Sequence, residues 1–411
     1  MKKRLFSLGL AVAMAASLTA CGGSKTAETT AAPAAETSAA AEGETTAAGE
    51  SAASGAAGGV IKIGGIGPTT GGAAVYGIAV KNGAQLAVDE INAAGGINGC
   101  TVEFNFQDDE HDPEKSVSAY NTLKDWGMQA LMGTVTSGPC MAVADKTAAD
   151  NMFQITPSGS ALECAANPNV FRICFSDPDQ GAASAKYIGE NKLASKIAVI
   201  YDSSDIYSSG IYEKFAEESA NQGLEIVAAE AFTADSNKDF STQLQKAKDA
   251  GAELVFLPIY YTEASLILQQ AAKSGFETQF FGCDGMDGIL QVENFDTQLA
   301  EGLMLLTPFA ADATDDLTVN FVKSYKDTYN EVPVQFAADA YDAIYALKAS
   351  MEDAGVTADM DASAICDALM TSMLNIKLDG LTGLGMTWTE DGEPHKAPKA
   401  VKVVDGAYAA M

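Results

Sequence analysis

The chain has 411 residues, a formal net charge of −30 and 2 histidines. Its 47% hydrophobic content can fill a core, which excludes a wholly disordered chain, and 55 acidic against 25 basic residues exclude nucleic-acid phosphate as a partner. The length fits two domains, and the single long apolar run is N-terminal, which excludes a mostly membrane-embedded protein.

Lys2, Lys3 and Arg4 precede an apolar or small-residue stretch, Leu5–Ser17, and then Leu18-Thr19-Ala20-Cys21. A charged start, a short apolar core and small residues before a cut predict a secretory signal over 1–20. The stretch is too short for a spanning anchor. Leu-Thr-Ala-Cys resembles the lipobox of bacterial lipoproteins. That resemblance implies cleavage before Cys21, a lipid on Cys21, and a place on the extracytoplasmic face of the cell membrane. Residues 21–59 then form a tract of Ala, Gly, Thr, Ser and Glu with no aromatic and no large aliphatic residue. Such a tract cannot offset the entropy of ordering, so a flexible tether of about 35 Å root-mean-square span is expected.

From Val60 the pattern changes. Val60–Ile63 reads as a strand, and Val75–Ala94 as a helix with Val80, Ala84, Ala87, Val88 and Ile91 on one face. Thr101–Gln107 is a strand, Pro113 opens a helix, and Ala130–Met132 is a short strand. A helix begins after Gly138-Pro139, and Phe153–Thr156 is a further strand. A second series begins near Asp177. It gives helices over Gly181–Asn191, Ser208–Gln222, Asp239–Ala250 and Glu263–Ser274. Its strands are Lys196–Tyr201, Glu225–Ala231, Leu254–Ile259, Gln279–Gly282 and Gly302–Pro308. Helices over Leu317–Tyr329, Ala337–Asp353 and Ala362–Leu374 follow, then a Gly-rich tail with two short strands. The alternation predicts an α/β protein of two doubly wound halves with mainly parallel sheets, which bind ligands at the carboxyl ends of their strands.

Gly65-Ile66-Gly67 begins like a dinucleotide fingerprint, but Thr70 stands where its third glycine would be. There is no phosphate loop, zinc-protease motif, nucleophile elbow or Cys-x-x-Cys, so neither a cofactor, a metal nor a reaction is expected. The run Asp108–Asp112 reads as a solvated loop that favours the next helix N-terminus rather than as a metal site. Cys164 and Cys174 flank a loop with Asn167-Pro168-Asn169 and could form a disulfide. Cys100, Cys140, Cys283 and Cys366 read as buried free thiols.

Several stretches in fixed order now carry a resemblance. They are Ile61-Lys62-Ile63, Gly77, Gly83-Ala84, Asp89–Ile97, Asp108-Asp109, Asp112-Pro113, Thr156-Pro157-Ser158, Asp239-Phe240-Ser241 and Tyr341-Asp342-Ala343. Over nearly all of Val60–Met411 the chain resembles the leucine/isoleucine/valine-binding proteins, the solute receptors of bacterial ABC amino-acid importers. The resemblance implies two α/β lobes joined by a three-crossover hinge, 60–176 with 309–388 and 177–308 with 389–411. It implies closure on a ligand between the lobes and recognition of the closed form by a permease. It places Ser137, Ser158, Gly159 and Ser160 at the ligand carboxylate, where hydroxyls and N–H groups at strand ends suit an anion. It places Tyr260 and Asp284 at the ammonium, with aspartate in place of the family's glutamate, and Tyr76, Tyr207 and Phe336 around the side chain. The family's disulfide cysteines correspond to His111 and Thr136, so that bridge is missing.

The expectation is a lipid-anchored, extracytoplasmic, monomeric receptor of a small zwitterionic amino acid, of the branched-chain class. Its partners are the ligand, ABC permease subunits and, through Cys21, the membrane. The alternatives are an aromatic amino acid, an amide or urea-type solute, or a sensory module.

Overall fold

The short strands are apolar on both faces, so each must be covered on both sides. The way to do that is a parallel sheet with helices returning over each face. A computed structural model describes residues 58–411 of the chain; the predicted signal, Cys21 and the tether up to residue 57 lie outside the described residues. The first sheet collects β1 (Gly58–Gly67), β2 (Cys100–Asp108), β3 (Ala130–Gly133), β4 (Gln154–Thr156) and β5 (Val170–Arg172) in the order β2-β1-β3-β4-β5, all parallel. Helices α1 (Ala74–Ala93), α2 (Pro113–Trp126) and α3 (Ser137–Asp150) make the crossovers. The second sheet repeats this winding with β6 (Lys196–Asp202), β7 (Glu225–Phe232), β8 (Leu254–Leu257), β9 (Gln279–Gly282) and β10 (Met304–Thr307), again parallel. It is extended antiparallel by β11 (Lys399–Val404) and β12 (Ala407–Ala410), giving β12-β11-β10-β9-β8-β6-β7. Helices α4 (Asp177–Glu190), α5 (Ile206–Asn221), α6 (Ser241–Asp249) and α7 (Tyr261–Ser274) serve this second sheet.

The chain passes between the sheets three times: after β5, after β10 and before β11. After β10 it returns to the first sheet as α8 (Asp316–Tyr329), α9 (Gln335–Asp353) and α10 (Ala362–Ser372). Helix α9 lies against α1 because Gly83 has no side chain, since a Cβ there would sit 2.1 Å from the Ala337 carbonyl oxygen. Tyr341 and Tyr345 of α9 both donate to Glu90 of α1, and Tyr329 donates to the Asn82 carbonyl at 3.0 Å. The architecture is therefore two doubly wound lobes joined by three crossovers.

Three local readings differ from the structure. Strand β5 lies outside the predicted elements, since its Val-Phe-Arg ends on an arginine that becomes fully buried only in the fold. Helix α4 starts at Asp177 rather than Gly181, because the Ser176 side chain caps it by accepting from the Asp179 N–H and Pro178 fits its first turn. The Asp108–Asp112 run is only partly solvated. Asp112 caps α2 as expected, but Asp109 is fully buried, with one carboxylate oxygen unpartnered. Among the described residues no cluster of His, Cys, Asp and Glu could hold a metal ion.

All six cysteines of the described region are buried free thiols, so Cys164 and Cys174 are not bridged here. Cys164 sits in a single 3-10 turn, Leu162–Ala165, packed on the first turn of α3, where its thiol meets that of Cys140. Cys174 lies beyond β5, at the first passage between the sheets.

Burial pushes Asp109 and Asp339 up to about 7 and Asp287 up to about 6, each from an ordinary value of 3.8. Each therefore binds its proton more tightly in the fold than in the unfolded chain. Stability rises as pH falls through these values and is lost again as pH climbs past about 7. Acids held low by hydrogen bonds, such as Asp112, oppose this only near and below their ordinary range. The melting temperature is expected to be at least about 3 °C higher at pH 5 than at pH 8. A thermal melt that is flat or falls over that interval would contradict the assignment of these buried acids.

Candidate functional site

Eight of the nine residues that the sequence places at a site follow the carboxyl end of a strand, and the ninth opens a helix. Tyr76 follows β1, Ser137 follows β3, and Ser158, Gly159 and Ser160 follow β4. Tyr207 follows β6, Tyr260 follows β8 and Asp284 follows β9, while Phe336 comes from the start of α9. Because both sheets point these ends toward each other, the residues converge. Tyr76, Ser158, Ser160, Tyr207, Tyr260, Asp284 and Phe336 line one cavity, together with Val135, Thr136 and Gly285. Ser137 and Gly159 stand just behind it. A larger groove of about 380 Å³ bordered by Leu162, Glu163 and Lys214 contains none of the nine.

One side of the cavity is aromatic. The Tyr76 ring lies 4.2 Å from Phe336 and 5.6 Å, edge-on, from Tyr260, which stacks on Tyr207 at 4.8 Å. The lobes touch here. The Tyr76 hydroxyl donates to the Gly285 carbonyl and accepts from the Tyr261 N–H at 3.2 Å, and Thr262 donates to the Gly72 carbonyl at 2.7 Å. The enclosed space is about 10 Å³, against about 300–1,000 Å³ for a small-molecule pocket. This is a closed arrangement, and a solute can enter only if the lobes part.

A second side is acidic. Asp284 accepts from the Tyr207 hydroxyl at 2.7 Å, and its own N–H donates to Gln180 Oε1 at 3.1 Å. Burial raises its carboxyl to about 6, against the lowering effect of these hydrogen bonds. Asp177, the first residue of α4, is also buried, but it borders the larger groove against Gly210 of α5 rather than this cavity. Burial pushes its carboxyl well above the usual carboxylate range, with the Ser160 hydroxyl lowering it and the Asp284 charge raising it. A buried carboxylate on the cavity wall, Asp284, calls for a cation.

The third side offers donors. The Ser137 hydroxyl oxygen accepts from the N–H groups of Ser160 at 3.2 Å and Ala161 at 3.1 Å, and among the described residues no acceptor takes its own hydrogen. Two N–H groups on its oxygen polarise that O–H and make it a stronger donor. Two donors expected to be free are held internally in this closed form. Gly159 N–H donates to Thr156 Oγ1 at 2.7 Å, and the Ser158 hydroxyl donates to the Val135 carbonyl at 2.6 Å. Nearby, His111 Nδ1 lies 2.8 Å from Thr136 Oγ1, so the two positions that the resemblance matches to a disulfide are held by a hydrogen bond.

A side with serine hydroxyls, an acidic side and an aromatic wall meet in one cavity between the two lobes. Comparison with known proteins identifies the family. Residues 60–407 match the model of a periplasmic binding protein family. The Leu/Ile/Val-binding protein homolog 3 of Brucella melitensis is 33% identical over 306 residues, 74% of this chain and 82% of that protein. The Leu/Ile/Val-binding protein of Escherichia coli is 28% identical over 337 residues, 81% of this chain and 88% of that protein. Among solved structures, a branched-chain amino acid transporter substrate binding protein of Streptococcus pneumoniae, in complex with isoleucine, superposes with a TM-score of 0.78. It is 29% identical, and the match covers 86% of this chain and 99% of that one. The chain belongs to the periplasmic binding protein family, within the group of substrate-binding proteins of ABC transporters. Among the described residues no helix is long and apolar enough to cross a membrane.

Proposed function

We propose that this protein is the extracytoplasmic receptor of an ABC importer, and that it closes on a small zwitterionic amino acid with an apolar side chain: leucine, isoleucine or valine. One observation carries the reading. A buried carboxylate, Asp284, lines a cavity walled by Tyr76, Tyr207, Tyr260 and Phe336, with Ser158 and Ser160 on its lining and the Ser137 hydroxyl just behind it. An α-amino acid carries the matching charges and an apolar side chain that fits the rings. An amide or urea-type solute would leave Asp284 without a cation. The names of the relatives and the isoleucine in the pneumococcal structure support the same class. The lobes, 60–176 with 309–388 and 177–308 with 389–411, move as hinged bodies, which is the motion of periplasmic binding proteins as a class. The reading assigns no reaction and no cofactor, and delivery is to a membrane permease.

A thermal-shift screen of the common amino acids tests this. At 100 times its dissociation constant a ligand adds about 2.7 kcal/mol to stability. Leucine, isoleucine or valine should therefore raise the melting temperature by several degrees. A shift with an amide or urea-type solute, and with no amino acid, would overturn the proposal.

Tethering through a lipid on Cys21 belongs to the same reading, on the strength of the Lys2–Cys21 pattern. Cys21→Ser should move the protein from the membrane pellet to the soluble or secreted fraction. A variant that still pellets as the wild type does would remove the anchor.

A further inference from the structure

Arg172 is the largest side chain buried to below 2% exposure, and no feature of the cavity uses it directly. Its guanidinium lies behind the loop that follows β4. One terminal nitrogen donates to the carbonyls of Gly159 at 3.2 Å and Ser160 at 2.6 Å, and the other to those of Ala161 at 3.0 Å and Leu162 at 3.3 Å. The Gly159 carbonyl and the Ser160 N–H belong to one peptide unit, and the Ser160 carbonyl and the Ala161 N–H to the next. Those two N–H groups are the ones that donate to the Ser137 hydroxyl. Two rigid peptide dipoles are thus clamped between a guanidinium and a serine, with carbonyl ends on the cation and N–H ends on the hydroxyl oxygen.

The cation is only partly offset. Nε lies 3.3 Å from Oε1 of Glu393, which is 27% exposed. The Arg172 N–H donates to the Gly392 carbonyl at 3.0 Å and its carbonyl accepts from Trp388 Nε1 at 2.8 Å, so the segment leading into β11 is fastened to the same residue.

We propose that Arg172 is a positioning residue for the ligand carboxylate, acting through the peptide units 159–160 and 160–161 to orient and polarise the Ser137 hydroxyl. This rests on the amino-acid-binding reading above and on Ser137 as the donor. The guanidinium fixes where the N–H groups point, the N–H groups fix the hydroxyl oxygen, and its hydrogen is left for an anion. Alignment of the two dipoles and the residual positive charge both favour a carboxylate in the cavity.

The test is a double-mutant cycle read by calorimetry, with L-leucine as the probe. Arg172→Lys keeps a cation but cannot hold four carbonyls. It should weaken leucine binding on the order of tenfold in the wild-type background and by less than about twofold in a Ser137→Ala background, since coupled residues are not additive. Equal losses in both backgrounds would make Arg172 a purely structural residue and overturn the proposal. No loss from Ser137→Ala itself would show instead that the carboxylate site is misplaced, and the proposal falls with it. Glu393→Gln supplies a second reading that does not disturb the buried arginine. Removing the offsetting charge should tighten leucine binding by about two- to threefold at low salt, whereas a merely structural ion pair predicts weakening. Weaker or unchanged binding in Glu393→Gln would overturn the electrostatic part even where Arg172→Lys fails to fold.

Discussion

Asp284→Ala is expected to weaken amino-acid binding by at least about 100-fold while leaving the fold intact. The carboxylate is buried and held by the Tyr207 hydroxyl. An ammonium enclosed against it is taken out of water, and deleting one partner of a buried charge pair costs about 3–5 kcal/mol. The pH dependence of the wild type tests the same group independently. Burial places the Asp284 carboxyl at about 6, so protonation removes the counter-charge as pH falls through that value. Affinity should drop below about pH 6, by up to about tenfold per unit, whereas Asp284→Asn should be weak and nearly flat over the same range. Calorimetry showing less than about a threefold loss for Asp284→Ala would take the residue out of the site. Circular dichroism of the variant separates lost binding from lost folding.

Discrimination against charged side chains is expected to be of comparable size. The aromatic wall is Tyr76 with Phe336 from one lobe and Tyr207 with Tyr260 from the other, so a complete apolar pocket exists only when the lobes are closed. Glutamate would bring a second carboxylate toward these rings with no partner, and desolvating it costs several kcal/mol. Leucine, isoleucine or valine should bind at least about 100-fold tighter than glutamate or lysine. Leucine should also compact the molecule, since closure is favoured only by contacts that exist in the closed state. Small-angle scattering beside a titration checks both. Tight glutamate binding with no response to an apolar amino acid would sink the specificity, and binding without compaction would count against the hinge.

The elements that the sequence revealed are those with a strong local pattern. The α1 stripe of Val80, Ala84, Ala87, Val88 and Ile91 and the apolar strand at Leu254–Leu257 are legible because burial of a face imposes a period. Strand β5 is not legible, because its Val-Phe-Arg ends on an arginine that only the fold buries and its place is set by pairing with β4. The site divides in the same way. The family pattern named nine residues, and seven of them line one cavity. That Tyr207 bonds Asp284 depends on how distant strands order within the second sheet, and that Tyr76 reaches Gly285 across the cleft depends on how the two sheets face each other, neither of which a local pattern encodes.

By itself, then, the sequence determined the strand–helix alternation, the acidic balance, the family pattern and the residue types at the strand ends, because each is written in composition or short-range order. The tertiary structure alone decided the rest. It left Cys164 as a free thiol packed against Cys140, away from Cys174, buried Asp109 within an otherwise polar run, and brought the Asp177 charge within reach of Asp284 from another element. It also set Arg172 behind the loop of residues 159–162. Those outcomes depend on which side chains meet from distant parts of the chain, and a charged or thiol side chain shows its burial only once its neighbours are in place.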